Sequence, residues 1–162
     1  GCGGGRGSEG QRWSDSSPLW CDEWARGGGH NPTGDHAGWT PLHGAAENGR
    51  VLHAKLLLDA GADATVQDDE GTAPLHCAAA SQFPDTEEMV SLLLEAGADA
   101  TVQDNDGTTP LHCAAKSSSP LMAVLLLAAG ADAAAKARFG ATALHHGATN
   151  GHEVVVKVLL DA

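Results

Sequence analysis

Nine histidines and four cysteines give this chain of 162 residues the side chains for metal or thiolate chemistry. Six of them stand in pairs: His76-Cys77, His112-Cys113 and His145-His146. Imidazole nitrogen and thiolate sulfur are the usual zinc ligands, and a zinc ion needs them gathered around one point. The spacing argues against that, because no Cys-x-x-Cys and no His-x-x-x-His occurs anywhere in the chain. Catalytic signatures are missing as well: there is no phosphate loop of Walker type, no Gly-x-Ser-x-Gly elbow and no His-Glu-x-x-His. The glycines of residues 1–10 lead into no strand-and-helix pattern. No catalytic, cofactor-binding or metal-binding residue is expected, and the chain is read as a non-enzyme.

The pairs do recur at a fixed place in a larger unit. Gly38 precedes Trp39-Thr40-Pro41-Leu42-His43, and Gly71 precedes Thr72-Ala73-Pro74-Leu75-His76. Gly107 precedes Thr108-Thr109-Pro110-Leu111-His112, and Gly140 precedes Ala141-Thr142-Ala143-Leu144-His145. The steps between these glycines are 33, 36 and 33 residues, a period that marks a stacked array and not a closed globule.

With its Thr-Pro-Leu-His box, Ala-rich segment, leucine run and Gly-Ala-Asp element (Gly61-Ala62-Asp63, Gly97-Ala98-Asp99, Gly130-Ala131-Asp132), the chain resembles an ankyrin-repeat protein. The resemblance covers residues 35–162, roughly four-fifths of the chain. It implies an all-α solenoid of about four stacked helix-turn-helix repeats joined by β-hairpin-like loops, with repeats at about 35–67, 68–103, 104–136 and 137–162, the last incomplete. It also implies that His43, His76, His112 and His145 bond to backbone between neighbouring loops. A family hairpin often carries an asparagine two residues after Gly-Ala-Asp as a substrate for hydroxylation, but Thr65, Thr101 and Ala134 stand there.

The residues explain such elements on their own terms. Thr40 and Thr109 are suited to cap a helix whose first position is proline, where a missing N–H costs nothing. Ala45-Ala46, Ala78-Ala79 and Ala114-Ala115 let the next repeat approach closely. Leu56-Leu57-Leu58, Leu92-Leu93-Leu94, Leu125-Leu126-Leu127 and Val158-Leu159-Leu160 are expected to face the layer between repeats on a second helix, stopped by a left-handed glycine. One pair spans Pro41–Asn48 and Val51–Asp59 with Asn48-Gly49 as its turn. Repeat two has three extra residues, after which Asp85 with Glu88 reads as a capping box. In repeat three, Ser119 caps a helix opening at Pro120. Repeat four has Ala143 for the proline and Gly147 for an alanine, and is expected to be the least stable. Equivalent helices about 8–10 Å apart cannot share one zinc among their His-Cys pairs, nor bring Cys77 and Cys113 within the roughly 7 Å Cα separation of a disulfide.

Residues 1–34 carry ten glycines and three of the four tryptophans, and no repeat box. This segment is expected to be largely disordered, with a short amphipathic helix at 18–26 that sets Trp20 and Trp24 on one face. Those tryptophans read either as a cap over the open side of the first repeat or as a linear motif for a partner. The segment lacks the basic and apolar regions of a signal peptide, no apolar run reaches the length of a membrane span, and the irregular cysteine placement fits a reducing, intracellular location, cytoplasmic or nuclear. The start at Gly1 and the stop at Asp161-Ala162 read as a fragment.

Charge supplies the functional clue. The net charge is −12, and from Asp59 to Asp106 there are twelve acidic residues and no Lys or Arg. Nucleic-acid phosphates would be repelled, so a protein partner with a basic surface is expected, bound by a monomer and with no nucleic acid or membrane involved. In ankyrin arrays the partner lies on the concave face. Carried over position by position, the hairpin-tip candidates are His36, Trp39, Asp69, Glu70, Thr72, Asn105, Asp106, Thr108, Arg138 and Phe139. The first-helix candidates are Glu47, Asn48, Ala80, Ser81, Lys116, Ser117, Thr149 and Asn150. Trp39 is expected to be the exposed aromatic anchor. The reading that follows is an interaction scaffold or adaptor; its alternative is the recruiting segment of a larger enzyme, a kinase or a ubiquitin-ligase component.

Overall fold

A computed structural model of the chain describes residues 37–83 and 85–162. The expected disorder of residues 1–34, the helix at 18–26 and the candidate His36 lie outside the described residues. Within them the chain forms eight α-helices and no strand. They are α1 (Pro41–Glu47), α2 (Val51–Asp59), α3 (Pro74–Ala80), α4 (Thr86–Glu95), α5 (Pro110–Ser117), α6 (Pro120–Ala128), α7 (Ala143–Thr149) and α8 (Glu153–Leu160), with a 3₁₀ turn at Arg138–Gly140. The first helices α1, α3, α5 and α7 pack in one row, the second helices α2, α4, α6 and α8 in another, and each first helix packs on its own second helix. Two helical layers seven to ten residues long therefore share one elongated core.

That core repeats like the sequence. Leu42, Leu75 and Leu111 are at most 1% exposed, and Ala46, Ala79 and Ala115 beside them are fully buried. Each such leucine contributes about 1.5–3 kcal/mol, while alanine lets adjacent first helices come close. On the second helices the expectation that whole leucine triplets face the inter-repeat layer needs correction. Leu93 and Leu126 are fully buried and Leu159 is 6% exposed, but Leu92, Leu94, Leu125 and Leu127 are half-buried, and Leu56 and Leu160 are exposed. An α-helix of 3.6 residues per turn can aim only positions such as Met89, Val90 and Leu93 at one layer; consecutive residues fan around it.

Helix ends show where local chemistry held and where it did not. Gly61, Gly97 and Gly130 end the second helices at φ of 89°, 93° and 93°, and Ser119 Oγ accepts the Met122 amide at 3.3 Å. Asn48 is the C-cap of α1, so that helix stops one residue earlier than expected. Asp85 makes no cap; it sits at φ 69°, and Thr86 Oγ1 donates instead to Phe83 O at 2.7 Å. The threonines before α1 and α5 do not cap a backbone amide with their hydroxyls either. Thr40 N–H and Thr109 N–H donate to Nδ1 of His43 and His112 at 3.1 and 3.2 Å, with the hydroxyls 2.8 Å from the same nitrogens. The imidazole is the better-placed acceptor, which explains why Ala73, with no hydroxyl, serves equally before α3: its amide reaches His76 Nδ1 at 3.1 Å.

Repeat four tests the proline rule. Thr142 is extended at φ −109° and ψ 166°, the conformation a following proline requires, and the N1 amide of α7 has no acceptor within the helix. Ala143→Pro should therefore stabilise the protein by about 0.4–1 kcal/mol by narrowing the unfolded ensemble, read as a higher urea midpoint at unchanged slope.

Candidate functional site

The surface that the sequence singled out is built from the loops that lead into the first helices. In each, a short turn returns on itself: Asp68 N–H donates to Thr72 O, Asp104 N–H to Thr108 O and Ala137 N–H to Ala141 O, at 2.8–3.0 Å. A single carboxylate oxygen organises the first two. Asp68 Oδ1 accepts from the amides of Glu70 and Thr72, and Asp104 Oδ1 from those of Asp106 and Thr108. Ala137 has no carboxylate to offer. There the tip closes as a 3₁₀ turn with Phe139 at φ 62° and its ring fully exposed.

Adjacent tips are joined by one backbone bond each: Asp69 N–H to Ala37 O, Asn105 N–H to Glu70 O and Arg138 N–H to Asp106 O, at 2.9, 2.9 and 2.7 Å. The box histidines fasten the same loops from beneath. His43 Nε2 lies 2.9 Å from Thr72 O, His76 Nε2 2.9 Å from Thr108 O, and His112 Nε2 3.1 Å from Ala141 O. A carbonyl can only accept, so Nε2 carries the proton and Nδ1 is left to accept the amide before the helix. Burial holds all three imidazoles below their ordinary pKa of 6.5, against the opposing pull of those carbonyls and of Asp68 and Asp104.

On this rail the candidates fall into distinct groups. Asp69, Glu70, Asp106, Arg138 and Phe139 are exposed at the tips, and Glu47, Asn48 and Lys116 at the ends of first helices. Arg138 Nη1 lies 3.2 Å from Asp106 Oδ1, and its guanidinium sits 5.8 Å from the Phe139 ring centroid. So exposed an ion pair contributes about 0–1 kcal/mol, but it takes Asp106 out of a purely anionic row. Several candidates turn out to hold the scaffold. Asn105 Nδ2 donates to Asp69 O, Asn48 Nδ2 to Gly44 O, and Ser117 Oγ to Ala79 O across the repeat boundary. Thr72, Thr108 and Ser81 are half-buried.

Trp39 is not the exposed aromatic that was expected. It is half-buried, packed on the core, with its ring 4.9 Å from the His43 imidazole at 30°. Phe139, three repeats onward at a hairpin tip, is the wholly exposed one. Sequence reasoning gave no weight to the outward positions of the second helices, where Leu52, Leu56, Leu121, Val124 and Val154 are exposed; their alternation with buried positions at helical spacing was the available signal.

The His-Cys pairs are split by this geometry. While the imidazoles bond between loops, Cys77 and Cys113 are free thiols. Burial pushes both up, Cys113 to about 11. Among the described residues no group of three or more metal-ligating side chains converges.

Residues 21–104 and 79–162 match a family model described as ankyrin repeats in three copies. The Neurogenic locus Notch protein of Drosophila melanogaster is 53% identical over 57 residues, 35% of this chain and 2% of that protein. Neurogenic locus notch homolog protein 1 of Xenopus laevis is 52% identical over 52 residues, 32% and 2% respectively. Neurogenic locus notch homolog protein 2 of Homo sapiens is 53% identical over 47 residues, 29% and 2%. The chain thus spans about 2% of the length of these curated relatives.

The histidine geometry sets a pH dependence. Protonating Nδ1 removes the acceptor for the amide before each helix, so the folded state resists the charge that the unfolded chain accepts near pH 6.5. With folded values depressed, the unfolded state binds more protons below 6.5; the contribution is complete above that value and is lost as pH falls through it toward the folded values. Urea midpoints measured from about pH 7.5 down to about pH 5 should fall progressively, and His76→Gln should flatten the profile.

Proposed function

Because the chain belongs to the ankyrin-repeat family, we propose that its array holds a basic protein partner across the exposed hairpin tips and the ends of the first helices. Ankyrin repeats are a non-catalytic protein–protein interaction module, and the described residues contain no helix long and apolar enough to cross a membrane.

The observation that carries the charge preference is the distribution of acid along the rail. Some carboxylates are consumed by turns: Asp63 and Asp99 accept the hydroxyls and amides of Thr65 and Thr101, bonds that hold both below the usual aspartate value, and Asp68 and Asp104 bind tip amides. Asp69 and Glu70 are exposed at the tip itself. The stretch from Asp59 to Asp106 holds twelve acidic residues and no Lys or Arg. A cationic side chain laid across the second and third tips meets this field before it meets Arg138. Trp39 and Phe139 flank the row as apolar contacts, one as a shelf against His43 and one as a projecting ring. His36, Thr72, Thr108, Glu47, Asn48, Ser81 and Lys116 complete the proposed contact surface. The module acts as a monomer in an intracellular setting in this reading.

A random-peptide selection on the immobilised full chain tests it. Selected peptides should be rich in Lys and Arg, and raising salt from about 50 to about 300 mM should weaken them. Asp69→Lys with Glu70→Lys should weaken binding about tenfold or more. Neutral or acidic peptides, or affinities untouched by the charge reversal, would sink the basic-partner reading.

A further inference from the structure

The second helices carry equivalent outward positions, related from repeat to repeat by steps of 36, 33 and 33 residues. They are Leu52, Lys55 and Asp59 on α2, Glu88, Ser91 and Glu95 on α4, Leu121, Val124 and Ala128 on α6, and Val154, Lys157 and Asp161 along and just past α8. All are exposed except Ser91, which is half-buried. A surface helix normally sets polar side chains on the face away from its core. Helices α2 and α8 do so at two of these positions and α4 at all of them; α6 does so at none.

Helix α6 reads PLMAVLLLA and carries no polar side chain on any side. Met122, Ala123 and Leu126 make up its buried face at 0% exposure, whereas Leu121 and Val124 are 54% and 45% exposed. With the half-buried Leu125, the outward residues stand at i, i+3, i+4 and i+7, which is one continuous stripe on a helix. Val154, in the position of Leu121 one repeat onward, extends the apolar surface onto α8, and α8 packs beside α6. Spacing of this kind is what the apolar seam of a second helix interlocks with.

The borders of the stripe select what covers it. On the α4 side stand the exposed Glu88 and Glu95, and Ser119 Oγ at the entry to α6 lies 3.4 Å from Glu87 Oε1. Neither α4 nor the turns on either side of it contain a Lys or Arg. On the α8 side the border is mixed, with Lys157 level with Val124 and with Glu153 and Asp161 at the two ends. A second copy would bring a further net charge of −12 to the contact, and an anionic bilayer would be repelled by the same acidic border. A helix with an apolar seam and Lys or Arg along one flank satisfies both the stripe and its border.

We propose that α6 is a docking surface for a basic amphipathic helix of a partner protein. Its apolar seam lies along Leu121, Val124, Leu125 and Ala128, and its cationic flank faces Glu88 and Glu95. Nine residues give α6 a length of about 13 Å, so two to three turns of the partner run along it. The site belongs to the second-helix layer, away from the hairpin tips, and does not depend on what those tips hold.

Helix-biased peptides of about 14 residues, four turns long, test the proposal when they are selected on the immobilised full chain and counter-selected on its Leu121→Glu, Val124→Glu variant. Both replaced side chains are exposed, and an unchanged urea midpoint certifies the variant's fold. Selected peptides should carry apolar residues at helical seam spacing and Lys or Arg on one flank, and should bind the full chain about tenfold or more tighter than the variant. Glu88→Lys with Glu95→Lys should also weaken them about tenfold, whereas Asp69→Lys with Glu70→Lys should leave them unchanged. Recovery of no discriminating peptide, or of peptides without a basic flank, overturns the proposal. Loss of binding on reversal of Asp69 and Glu70 would assign the peptides to the tips and overturn it as well. So would self-association of the full chain that Leu121→Glu with Val124→Glu abolishes, since a second copy would then be the occupant.

Discussion

An imidazole that touches two loops at once is the constraint on which the array depends. His43, His76 and His112 each accept the amide that opens their own helix and donate to a carbonyl of the next loop, 29 to 32 residues onward. Remove the ring and the buried amide before the helix loses its acceptor, at about 1–3 kcal/mol, while the carbonyl of the next loop is left with its turn amide alone. The bond also fixes the height of one hairpin over the next, so the tips form a surface of set geometry although no strand links them. Helix packing alone would leave that spacing to side chains on the far side of the loops.

Much of this was legible in the sequence, for physical reasons that can be located. The Thr-Pro-Leu-His box states a helix start, the alanines a close approach, and the glycines after the leucine runs a left-handed stop. What misled was reading side chains by type where geometry decides. A threonine before a helix looks like a hydroxyl cap until the histidine three residues on proves to be the acceptor. Asp85 with Glu88 looks like a capping box, yet the inserted residues bring the chain in through αL and Thr86 makes the bond. Trp39 looks like an anchor because tryptophan often is one; its place one residue before the helix cap folds it onto His43. Phe139 owes its exposure to its place at the hairpin tip, the position that Glu70 and Asp106 hold in the preceding loops.

The division of labour among carboxylates matters most for recognition. Aspartates whose oxygens hold turn amides contribute field but not freedom, because reorienting them would open the hairpin. Asp69 and Asp106 stand at the tips and hold no turn amide with their side chains. In the proposed reading such a surface has a rigid backbone and an adaptable outer layer, which would lower the ordering cost of association, and its selectivity would rest on a few exposed positions that can change without disturbing the fold. The Asp106–Arg138 pair marks where that acidic field ends.

The longer second repeat shows where such an array can grow. Its three additional residues fall between α3 and α4, in the turn farthest from the hairpins, because each first helix leaves a hairpin and each second helix returns to one. The tips on either side of it keep the same backbone bond, Asn105 to Glu70, that joins the shorter repeats. The turn between α3 and α4 is therefore a port: foreign sequence grafted there, whether a reporter peptide or a small inserted domain, would be displayed from the rim opposite the hairpin tips while the spacing of the rail stayed unchanged.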